Sequence, residues 1–458
     1  MSNRTWRVLV GAAVLVGLAI RIASVLARPH LAPGGDPAEY LGQANLLVEG
    51  KGWIEPLVYA KTGVAAQTAK LPPLYTMLLA LCTLAGFKSF FAHRIWSAVL
   101  STAGVGLGAV LGRDLSGRRG VGVLAAFGVA LYPNMWMSAG LGMSETISPI
   151  LVMVVLWAAY RMWRAPTVRR AVLVGLSIGF AALARDELAV FGVLILLPLC
   201  IGRAGPSWWP RLRLFGAGLV ASLIVVAPWV TFNMVRFSHP VLITDRFGVT
   251  LASANCDASW NGPFAGYWSM PCAEASVVGV HGDESAYDPV ATGKGLDYIY
   301  HHLGGLPRVE YDRLGRTFGF YRVGQQMSLD IHVESRPRLW AWVGLWSYYG
   351  LAVLAPFGAW GLRRKGVPLF PLVAVLVDVI LVTLIAYGQT RFRATLEPVL
   401  VLLAAVAIAG AAGRLSRGRA AGDRGRGRRR RGSAGPRGLS GPTSGERPAP
   451  TPPSASVV

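Results

Sequence analysis

The sequence predicts an all-α polytopic membrane protein with about ten transmembrane helices, outer-face juxtamembrane helices and a small extracytoplasmic loop module. Its 458 residues are 53% hydrophobic and only 15% charged, and the mean hydropathy is +0.46. Such a composition is typical of chains that cross a membrane several times. Several apolar runs reach the roughly 20 residues that cross a bilayer. These observations exclude a single soluble core.

The first predicted span covers residues 8–27 and is interrupted only by Arg21. Arg4 and Arg7 precede it, so the positive-inside rule places the N-terminus in the cytoplasm. A cleaved signal peptide is the weaker alternative, because the run is long and many spans follow it. The loop 28–70 is then expected outside the membrane.

Residues 71–87 form an ambiguous segment, which contains Pro72-Pro73 and is barely long enough to span. If the segment crossed the membrane, the later basic clusters would face outside; they are Arg113/Arg118/Arg119, Arg161/Arg164/Arg169/Arg170, Arg203/Arg211/Arg213 and Arg363/Arg364/Lys365. The positive-inside rule therefore favours an interfacial or re-entrant helix on the outer side, although spanning stays open.

Nine further apolar segments complete the prediction. With ten spans, both termini lie in the cytoplasm, and the protein is expected in the cytoplasmic membrane. The nine segments are 95–112, 119–137, 144–163, 169–184, 188–203, 212–232, 338–360, 367–387 and 394–413. The predicted divisions are an N-terminal membrane region 1–236 with its first outer loop 28–94, a loop module 237–337, C-terminal helices 338–413 and a tail 414–458.

The tail 414–458 accounts for much of the net charge of +22, because eleven Arg there face one Asp and one Glu. It has no apolar face to bury and is predicted to be disordered. Contact with anionic lipid head groups is favoured over RNA binding, so no nucleic-acid partner is expected.

The four cysteines divide into two pairs. Cys82 and Cys200 lie in apolar segments and are expected to be inert core residues. Cys256 and Cys272 both fall in the outer loop module, where a disulfide is favoured over a metal site because no His pattern accompanies them.

The run Pro33-Gly34-Gly35-Asp36-Pro37 follows the first span and has the composition of a tight turn. In one interpretation Asp36 only caps a helix that begins at Pro37, with Glu39 in its first turn. In the other, the rigid turn presents Asp36 for chemistry on the outer side.

The predicted topology gathers ionisable and amide groups at the outer ends of the spans. They are Asp36, Glu39, Lys70, His93, Arg94, Glu145, Arg185, Asp186, Glu187, Asn233, Arg236, Arg391 and Arg393. Structural ion pairs are one explanation, Glu145 with Arg94 and Arg185 with Asp186 or Glu187. The alternative is a site whose cations hold a lipid-linked phosphate while a carboxylate accepts a proton from a hydroxyl.

Four motifs resemble the GT-C superfamily of integral membrane glycosyltransferases, in particular the branch of protein O-mannosyltransferases and aminoarabinose transferases. The resemblance covers residues 15–412. The motifs are Asp36 to Leu41, Lys70-Leu71-Pro72-Pro73-Leu74-Tyr75, Pro228-Trp229 with Asn233 and Arg236, and Thr390-Arg391-Phe392-Arg393 with Glu397-Pro398.

This resemblance implies a polyprenyl-phosphate sugar donor, an extracytoplasmic acceptor and a lipid bilayer as partners. It makes Asp36 the general base, with Glu145 in the place of a second acid. Lys70 and Arg236 match residues that bind the donor phosphate, and Arg391 is a further candidate. One carboxylate suffices for inverting displacement by a hydroxyl, with cations stabilising the departing phosphate.

The sequence also constrains cofactors and competing functions. It contains no Gly-rich phosphate loop and no Asp-x-Asp motif, so no nucleotide is expected and dependence on a divalent metal stays open. A transporter or lipid-linked sugar flippase is the main alternative, followed by an inactive scaffold. The high Arg, Gly and Ala content suggests a GC-rich bacterial genome and hence a cell-envelope glycan, glycolipid or protein as acceptor.

Overall fold

Helices make up the regular structure, as the apolar runs predict. The computed structural model describes residues 1–203 and 207–413. Apart from one isolated antiparallel bridge between Ile54 and Gln67, these described residues form helices, turns and loops. The all-α fold class is confirmed. The predicted disorder of the tail 414–458 concerns residues outside those described.

Residues Met1–Gly410 form one compact unit, and of the second unit, Ala411–Val458, only the end of a helix is described. The helices of the N-terminal membrane region are α1 (Asn3–Leu26), α2 (Asp36–Val48), α3 (Pro56–Thr62), α4 (Pro73–Leu84), α5 (Phe90–Ser116), α6 (Arg119–Leu131), α7 (Pro133–Trp136), α8 (Ser148–Arg164), α9 (Val168–Ala184), α10 (Leu197–Arg203) and α11 (Trp208–Arg236). Short 3₁₀ turns at Ser138–Leu141, Ser144–Thr146 and Asp186–Val190 and a π turn at Gly192–Leu196 join them.

The loop module and the C-terminal region contain the remaining helices. They are α12 (Phe247–Ala254), α13 (Asp257–Trp260), α14 (Met270–Val277), α15 (Tyr287–His301), α16 (Leu306–Phe318), α17 (Val323–His332), α18 (Arg338–Arg363), α19 (Phe370–Ile385) and α20 (Glu397–Gly413). Short 3₁₀ helices occupy Glu284–Ala286, Leu303–Gly305 and Thr390–Thr395. The disulfide predicted between Cys256 and Cys272 is present in the module and confirmed, while Cys82 and Cys200 are free and buried.

Three helices among the described residues, α1, α5 and α11, are long and apolar enough to cross a bilayer by themselves. Four shorter helices, α4, α6, α19 and α20, are also apolar. All ten predicted spans fall on largely helical segments, but the number of crossings stays a prediction. Helix α6 ends at Leu131 rather than near residue 137 because Pro133 disfavours helical backbone before it.

Helix α4 contains the ambiguous segment. Its 12 residues extend about 18 Å at 1.5 Å per residue, which is less than the roughly 30 Å of a hydrocarbon core. The helix packs against α2, α5 and α9. This length and packing agree with the predicted interfacial position.

The charge inside the first span, Arg21, is fully buried. Its guanidinium donates to Ser101 Oγ at 2.9 Å, Gly17 O at 3.1 Å, and the carbonyls of Val129 and Met135 at 3.3 Å each. Arg21 thus binds carbonyl oxygens of α6 and α7 and a hydroxyl of α5, so this residue joins α1 to these three helices.

Close helix packing supports the membrane region where small residues face each other. A Cβ added to Gly175 of α9 would lie 1.9 Å from Gly218 O of α11. Any side chain at Gly175 would therefore separate the two backbones. Small residues at helix contacts are the usual means of close packing inside membranes, where apolar burial between helices gives little driving force.

Candidate functional site

A cavity of about 1570 Å³ lies between the first outer loop, the loop module and the segment before α20. Many of the charged residues predicted from the outer ends of the spans line it: Asp36, Glu39, Lys70, Arg185, Asp186, Glu187, Arg236 and Arg391. The module adds residues that the sequence did not single out: Asp245, Arg246, Glu284 and Glu334. The cavity therefore brings together residues from distant parts of the chain.

The turn before α2 positions Asp36. Gly35 has φ of +56°, a conformation that glycine adopts without steric cost, and Pro37 occupies the first turn. The interpretation of Asp36 as a simple cap for a helix starting at Pro37 is wrong: α2 begins at Asp36, and the residue before it, Gly35, has no side chain to cap with. The Asp36 carboxylate instead faces two guanidinium groups.

Arg391 and Arg246 bind opposite oxygens of Asp36. Arg391 Nη2 donates to Oδ2 at 2.8 Å, and Arg246 Nη1 donates to Oδ1 at 3.3 Å. Burial alone would raise the pKa of Asp36, but the two guanidinium groups outweigh burial and hold this pKa well below its usual range. Asp36 is therefore ionised at neutral pH.

A second set of ion pairs supports Arg391. Glu145 Oε1 accepts from Arg391 Nε and from Arg185 Nη1, both at 2.8 Å. Arg185 also pairs with Glu187, which is one of the two structural ion pairs that the sequence predicts for Arg185. Glu145 is only 4% exposed and is not among the residues that line the cavity, so in this arrangement it holds two arginines in place.

Lys70 and Arg236, the predicted phosphate-binding residues, are engaged with protein groups. Lys70 Nζ lies 3.2 Å from Glu55 Oε2 and 3.6 Å from Glu284 Oε1. Arg236 donates to Trp53 O at 2.9 Å, to Thr68 O at 2.6 Å and to Asn233 Oδ1. Arg236 thus fastens α11 to the first outer loop, although it also lines the cavity.

Two other predicted candidates serve the scaffold. Asn233 is fully buried and donates to Leu242 O at 3.3 Å. Arg393 is 2% exposed and pairs with Glu397 Oε1 at 3.0 Å. Neither residue lines the cavity.

The predicted pairing of Glu145 with Arg94 is wrong. Arg94 is fully buried and donates to Gly140 O at 2.7 Å and Arg28 O at 2.6 Å. The turn that precedes α8 directs Glu145 toward Arg185 and Arg391 instead. Arg94 therefore satisfies backbone carbonyls and forms no ion pair with Glu145 among the residues that the structure describes.

Residues from the loop module complete the site. Arg246 lies directly before α12, and its side chain is 43% exposed, against 33% for Lys70 and 17% for Arg391. Glu334, which follows α17, places Oε1 3.6 Å from Arg391 Nη1. In the sequence, the adjacent charges Asp245 and Arg246 early in the module are the signal that could have indicated this contribution. No local pattern shows which way these side chains point.

Aromatic side chains form another part of the cavity wall. The ring centroids of Trp268 and Tyr387 are 6.3 Å apart, and those of Tyr387 and Phe392 are 5.0 Å apart. Across residues 1–203 and 207–413, no group of three or more His, Cys, Asp or Glu side chains has an arrangement suited to a metal ion.

Comparisons with known proteins agree with this architecture. A family model described as dolichyl-phosphate-mannose-protein mannosyltransferase matches residues 70–232. A sequence search of curated proteins finds no match.

Among solved structures, the oligosaccharyltransferase of Archaeoglobus fulgidus, in complex with Zn and sulfate, has a TM-score of 0.53 at 15% identity, with 89% of this chain and 49% of that chain covered. The oligosaccharyltransferase AglB of the same organism, with an inhibitory peptide and a dolichol-phosphate, gives 0.49 at 14% identity, with 95% and 52% covered. ArnT from Cupriavidus metallidurans bound to undecaprenyl phosphate gives 0.43 at 14% identity, with 89% and 78% covered.

These likenesses are to the fold, and this chain spans about half the length of the archaeal oligosaccharyltransferases it matches. The apolar helices are those of a multi-pass membrane protein. The fold is similar to that of the archaeal oligosaccharyltransferase, and residues 70–232 match the mannosyltransferase family model.

Proposed function

We propose that this protein is a glycosyltransferase that moves a sugar from a polyprenyl-phosphate donor to a hydroxyl group of an extracytoplasmic acceptor. The acceptor is a cell-envelope glycan, a glycolipid or a protein. In this proposal the protein lies in the cytoplasmic membrane with the cavity facing outside and both termini inside. The reaction inverts the anomeric carbon, and Asp36 is the general base.

The observation that carries the proposal is the ionised Asp36 between Arg391 and Arg246 at the wall of a cavity of about 1570 Å³. A carboxylate that accepts a proton and cations that bind a phosphate are the two elements that this transfer needs. Arg246 is the most accessible of these cations, so we assign it to the donor phosphate with Arg391. Lys70 would bind the donor phosphate only after donor binding releases it from Glu55 and Glu284. Arg236 also lines the cavity and is a further candidate for the phosphate.

The chemical step follows from these positions. The acceptor oxygen attacks the anomeric carbon from the face opposite the phosphate, and its proton passes to Asp36. The bond between the anomeric carbon and the phosphate oxygen breaks, and the electron pair leaves with the polyprenyl phosphate. Arg246 and Arg391 stabilise the added negative charge on that phosphate.

The arginines also explain how Asp36 becomes basic enough. In the free site they hold its pKa low, which makes it a weak base. A donor phosphate competes for the same N–H groups of Arg391 and Arg246. Donor binding therefore weakens the ion pairs with Asp36 and raises its basicity when the acceptor is present.

The donor class rests on the sequence match and on the chemistry of the site. The matching family model is described by a dolichyl-phosphate-linked sugar and covers Lys70 and the segment up to residue 232. Its match does not include Asp36. A donor with a long isoprenoid stays in the bilayer, and a cavity beside membrane helices can receive its phosphate without extracting the lipid.

The test is sugar transfer in membranes that carry wild-type protein, Asp36→Asn or Asp257→Asn. Radiolabelled polyprenyl-phosphate sugars are supplied, and the label is followed into lipid, protein and polymer fractions. Asp257 is an exposed acid outside the cavity, so its variant is the matched control. Wild type and the control should consume one donor, and Asp36→Asn should be slower by about 10²–10⁴-fold at equal expression.

A different pattern would overturn the proposal. If Asp36→Asn transfers sugar as fast as wild type, Asp36 is not the base. If wild type consumes no donor but moves labelled lipid between leaflets, the protein is a transporter. If neither process depends on the protein, the inactive scaffold is the remaining interpretation.

A further inference from the structure

Glu334 contacts Arg391 more loosely than two other carboxylates do. Asp36 Oδ2 and Glu145 Oε1 each accept a hydrogen bond from Arg391 at 2.8 Å. Glu334 Oε1 lies 3.6 Å from Arg391 Nη1, which makes an ion pair but is too long for a hydrogen bond. Within residues 1–203 and 207–413, Nη1 of Arg391 donates no hydrogen bond to a protein group, although Arg391 lines the cavity.

The protein stabilises the charge of Glu334 less well than the charge of Asp36. The Glu334 side chain is only 9% exposed. Burial raises its pKa against the opposing charges of Arg391 and Arg336, and the nearby Asp36 and Glu145 add to the rise. The pKa of Asp36, by contrast, is held well below its usual range by its two arginines. Of these two carboxylates, Glu334 therefore loses less stabilisation when it leaves Arg391.

The backbone that carries Glu334 is fixed beside the site. Glu334 follows α17, and Ser335 after it has φ of +55°, a conformation that is uncommon for residues other than glycine. Ser335 O accepts from Arg28 Nη1 at 2.6 Å, and Arg336 Nη1 donates to Thr390 Oγ1 at 3.2 Å. These contacts join the end of the module to the loop after α1 and to the segment before α20. The Glu334 side chain can therefore rotate away from its arginine while the backbone stays in place.

Gln389 gives Glu334 a partner that does not depend on Arg391. Its Nε2 donates to Glu334 Oε1, the same oxygen that faces Arg391. The amide is neutral, so this hydrogen bond keeps the carboxylate near the cavity without neutralising it. If another anion binds Arg391, Glu334 can keep this donor, as a buried carboxylate requires.

We propose that Glu334 is a displaceable counter-ion of Arg391, which pairs with Nη1 in the free site and is replaced there by the phosphate of the polyprenyl-linked donor. The inference rests on the proposed transfer reaction and adds a residue that sets the affinity of the site for its lipid phosphate. A phosphate oxygen at Nη1 would form the charge-assisted hydrogen bond that Glu334 does not form.

The same exchange acts on the product. The donor phosphate is a diester with a single negative charge, whereas the released polyprenyl phosphate is a monoester with a charge of about −1.5 to −2 at pH 7. The arginines alone would therefore hold the product more tightly than the donor. Glu334 competes with both for Arg391, so it weakens donor binding and speeds the departure of the product.

The first experiment measures binding without any transfer. Purified full-length protein in detergent is equilibrated with radiolabelled farnesyl phosphate, a short polyprenyl phosphate, and farnesol serves as the uncharged control. Glu334→Gln keeps an oxygen that accepts from Gln389 but removes the negative charge, so it should bind farnesyl phosphate about tenfold more tightly than wild type. Glu274→Gln is the matched control and should bind like wild type, because Glu274 is an exposed acid of the same cavity on α14.

Thermal unfolding of each variant shows whether it is folded. If Glu334→Gln is not folded, Glu334→Asp decides the question, because it keeps the charge but withdraws the carboxylate from Arg391 by one methylene group; it should also bind farnesyl phosphate more tightly than wild type. Equal or weaker binding by the folded variant would overturn the inference. An equal gain in affinity for farnesol would overturn it as well, because charge would then not be the cause.

A transfer experiment separates this inference from the proposed function. With a radiolabelled polyprenyl-phosphate sugar, Glu334→Gln should have a donor KM about tenfold lower than wild type. Its first turnover should be at least as fast as that of wild type, and later turnovers should be slower because the product leaves slowly. A lower kcat with an unchanged KM is the result of a merely structural role and would overturn the inference.

The two experiments together tell the two proposals apart. Sugar transfer by both proteins with equal affinity for farnesyl phosphate overturns the role of Glu334 and leaves the glycosyltransferase proposal intact. Tighter binding of farnesyl phosphate by Glu334→Gln without sugar transfer by either protein does the reverse.

Discussion

Replacing Arg391 by methionine removes the cation that joins most of the site. Arg391 donates to Asp36 Oδ2 and Glu145 Oε1 at 2.8 Å each and lies 3.6 Å from Glu334 Oε1. Its side chain is 17% exposed. Methionine fills a similar volume but supplies no charge, so three carboxylates would face one another with fewer counter-charges.

The expected loss of stability follows from those contacts. Removing one partner of a buried ion pair typically costs about 3–5 kcal/mol, because the remaining charge stays buried without compensation. Arg185 still binds Glu145 and Arg246 still binds Asp36, so we expect about 3 kcal/mol, at the low end of that range. Loss of a cation at the departing phosphate should slow transfer by a further 10²–10³-fold or so.

The loss of stability should depend on pH in a defined direction. In wild type the pKa of Asp36 is lowered, so the stability that it contributes is present at neutral pH and disappears only in acid. Without Arg391, burial raises the carboxyl pKa values above those of the unfolded chain. Arg391→Met should therefore unfold at a temperature further below wild type at pH 8 than at pH 5.

The assay is thermal unfolding of the detergent-solubilised protein at both pH values, combined with donor consumption per folded molecule. Arg393→Met is the matched control, because Arg393 forms a more deeply buried pair with Glu397 but does not line the cavity. The control should lose stability and retain transfer by its folded fraction. Equal losses of transfer in both variants would refute the reasoning. So would a drop in the unfolding temperature of Arg391→Met that is the same at pH 5 and pH 8.

Three further predictions concern other parts of the protein. Glu39→Gln should gain more stability over wild type at pH 8 than at pH 5, because a carboxyl with a raised pKa loses its stabilising contribution as the pH rises from about 4.5 to about 7; an unfolding temperature independent of this substitution at pH 8 would contradict it. Arg94→Met should lower the unfolding temperature by leaving the Gly140 carbonyl without its donor while transfer per folded molecule stays normal. Cys256→Ser should destabilise the protein by about 3 kcal/mol and make its unfolding temperature insensitive to reductant, whereas wild type should respond to reductant.

The sequence predicts a loop module over residues 237–337 but does not indicate its part in the site. Residues 237–337 were identified as a polar segment between apolar ones, and the Cys256–Cys272 bond was predicted correctly. Glu334 and Arg246 are not distinguished by composition from other charged residues of that segment. Their role depends on how the module lies against the membrane helices, which no local pattern encodes.

Ion-pair partners show the same limit for residues in the membrane region. Glu145, Arg94 and Arg185 were all recognised as outer-end charges, but the pairing of Glu145 with Arg94 was wrong. Glu145 lies in the short 3₁₀ turn Ser144–Thr146 before α8, where it meets Arg185 and Arg391. Spacing along a helix predicts neighbours on that helix, whereas these groups belong to different elements.

The sequence by itself determined the elements whose cause is local. Long apolar runs favour helices in a bilayer, because a helix satisfies its backbone hydrogen bonds within one segment of the chain. The Gly35-Asp36-Pro37 turn fixes where α2 begins. Only the tertiary structure decided which charges meet: Asp36 binds Arg246 across 210 positions and Arg391 across 355. Such contacts depend on the packing of the whole chain, because Coulomb attraction acts on distance in space and not on distance along the sequence.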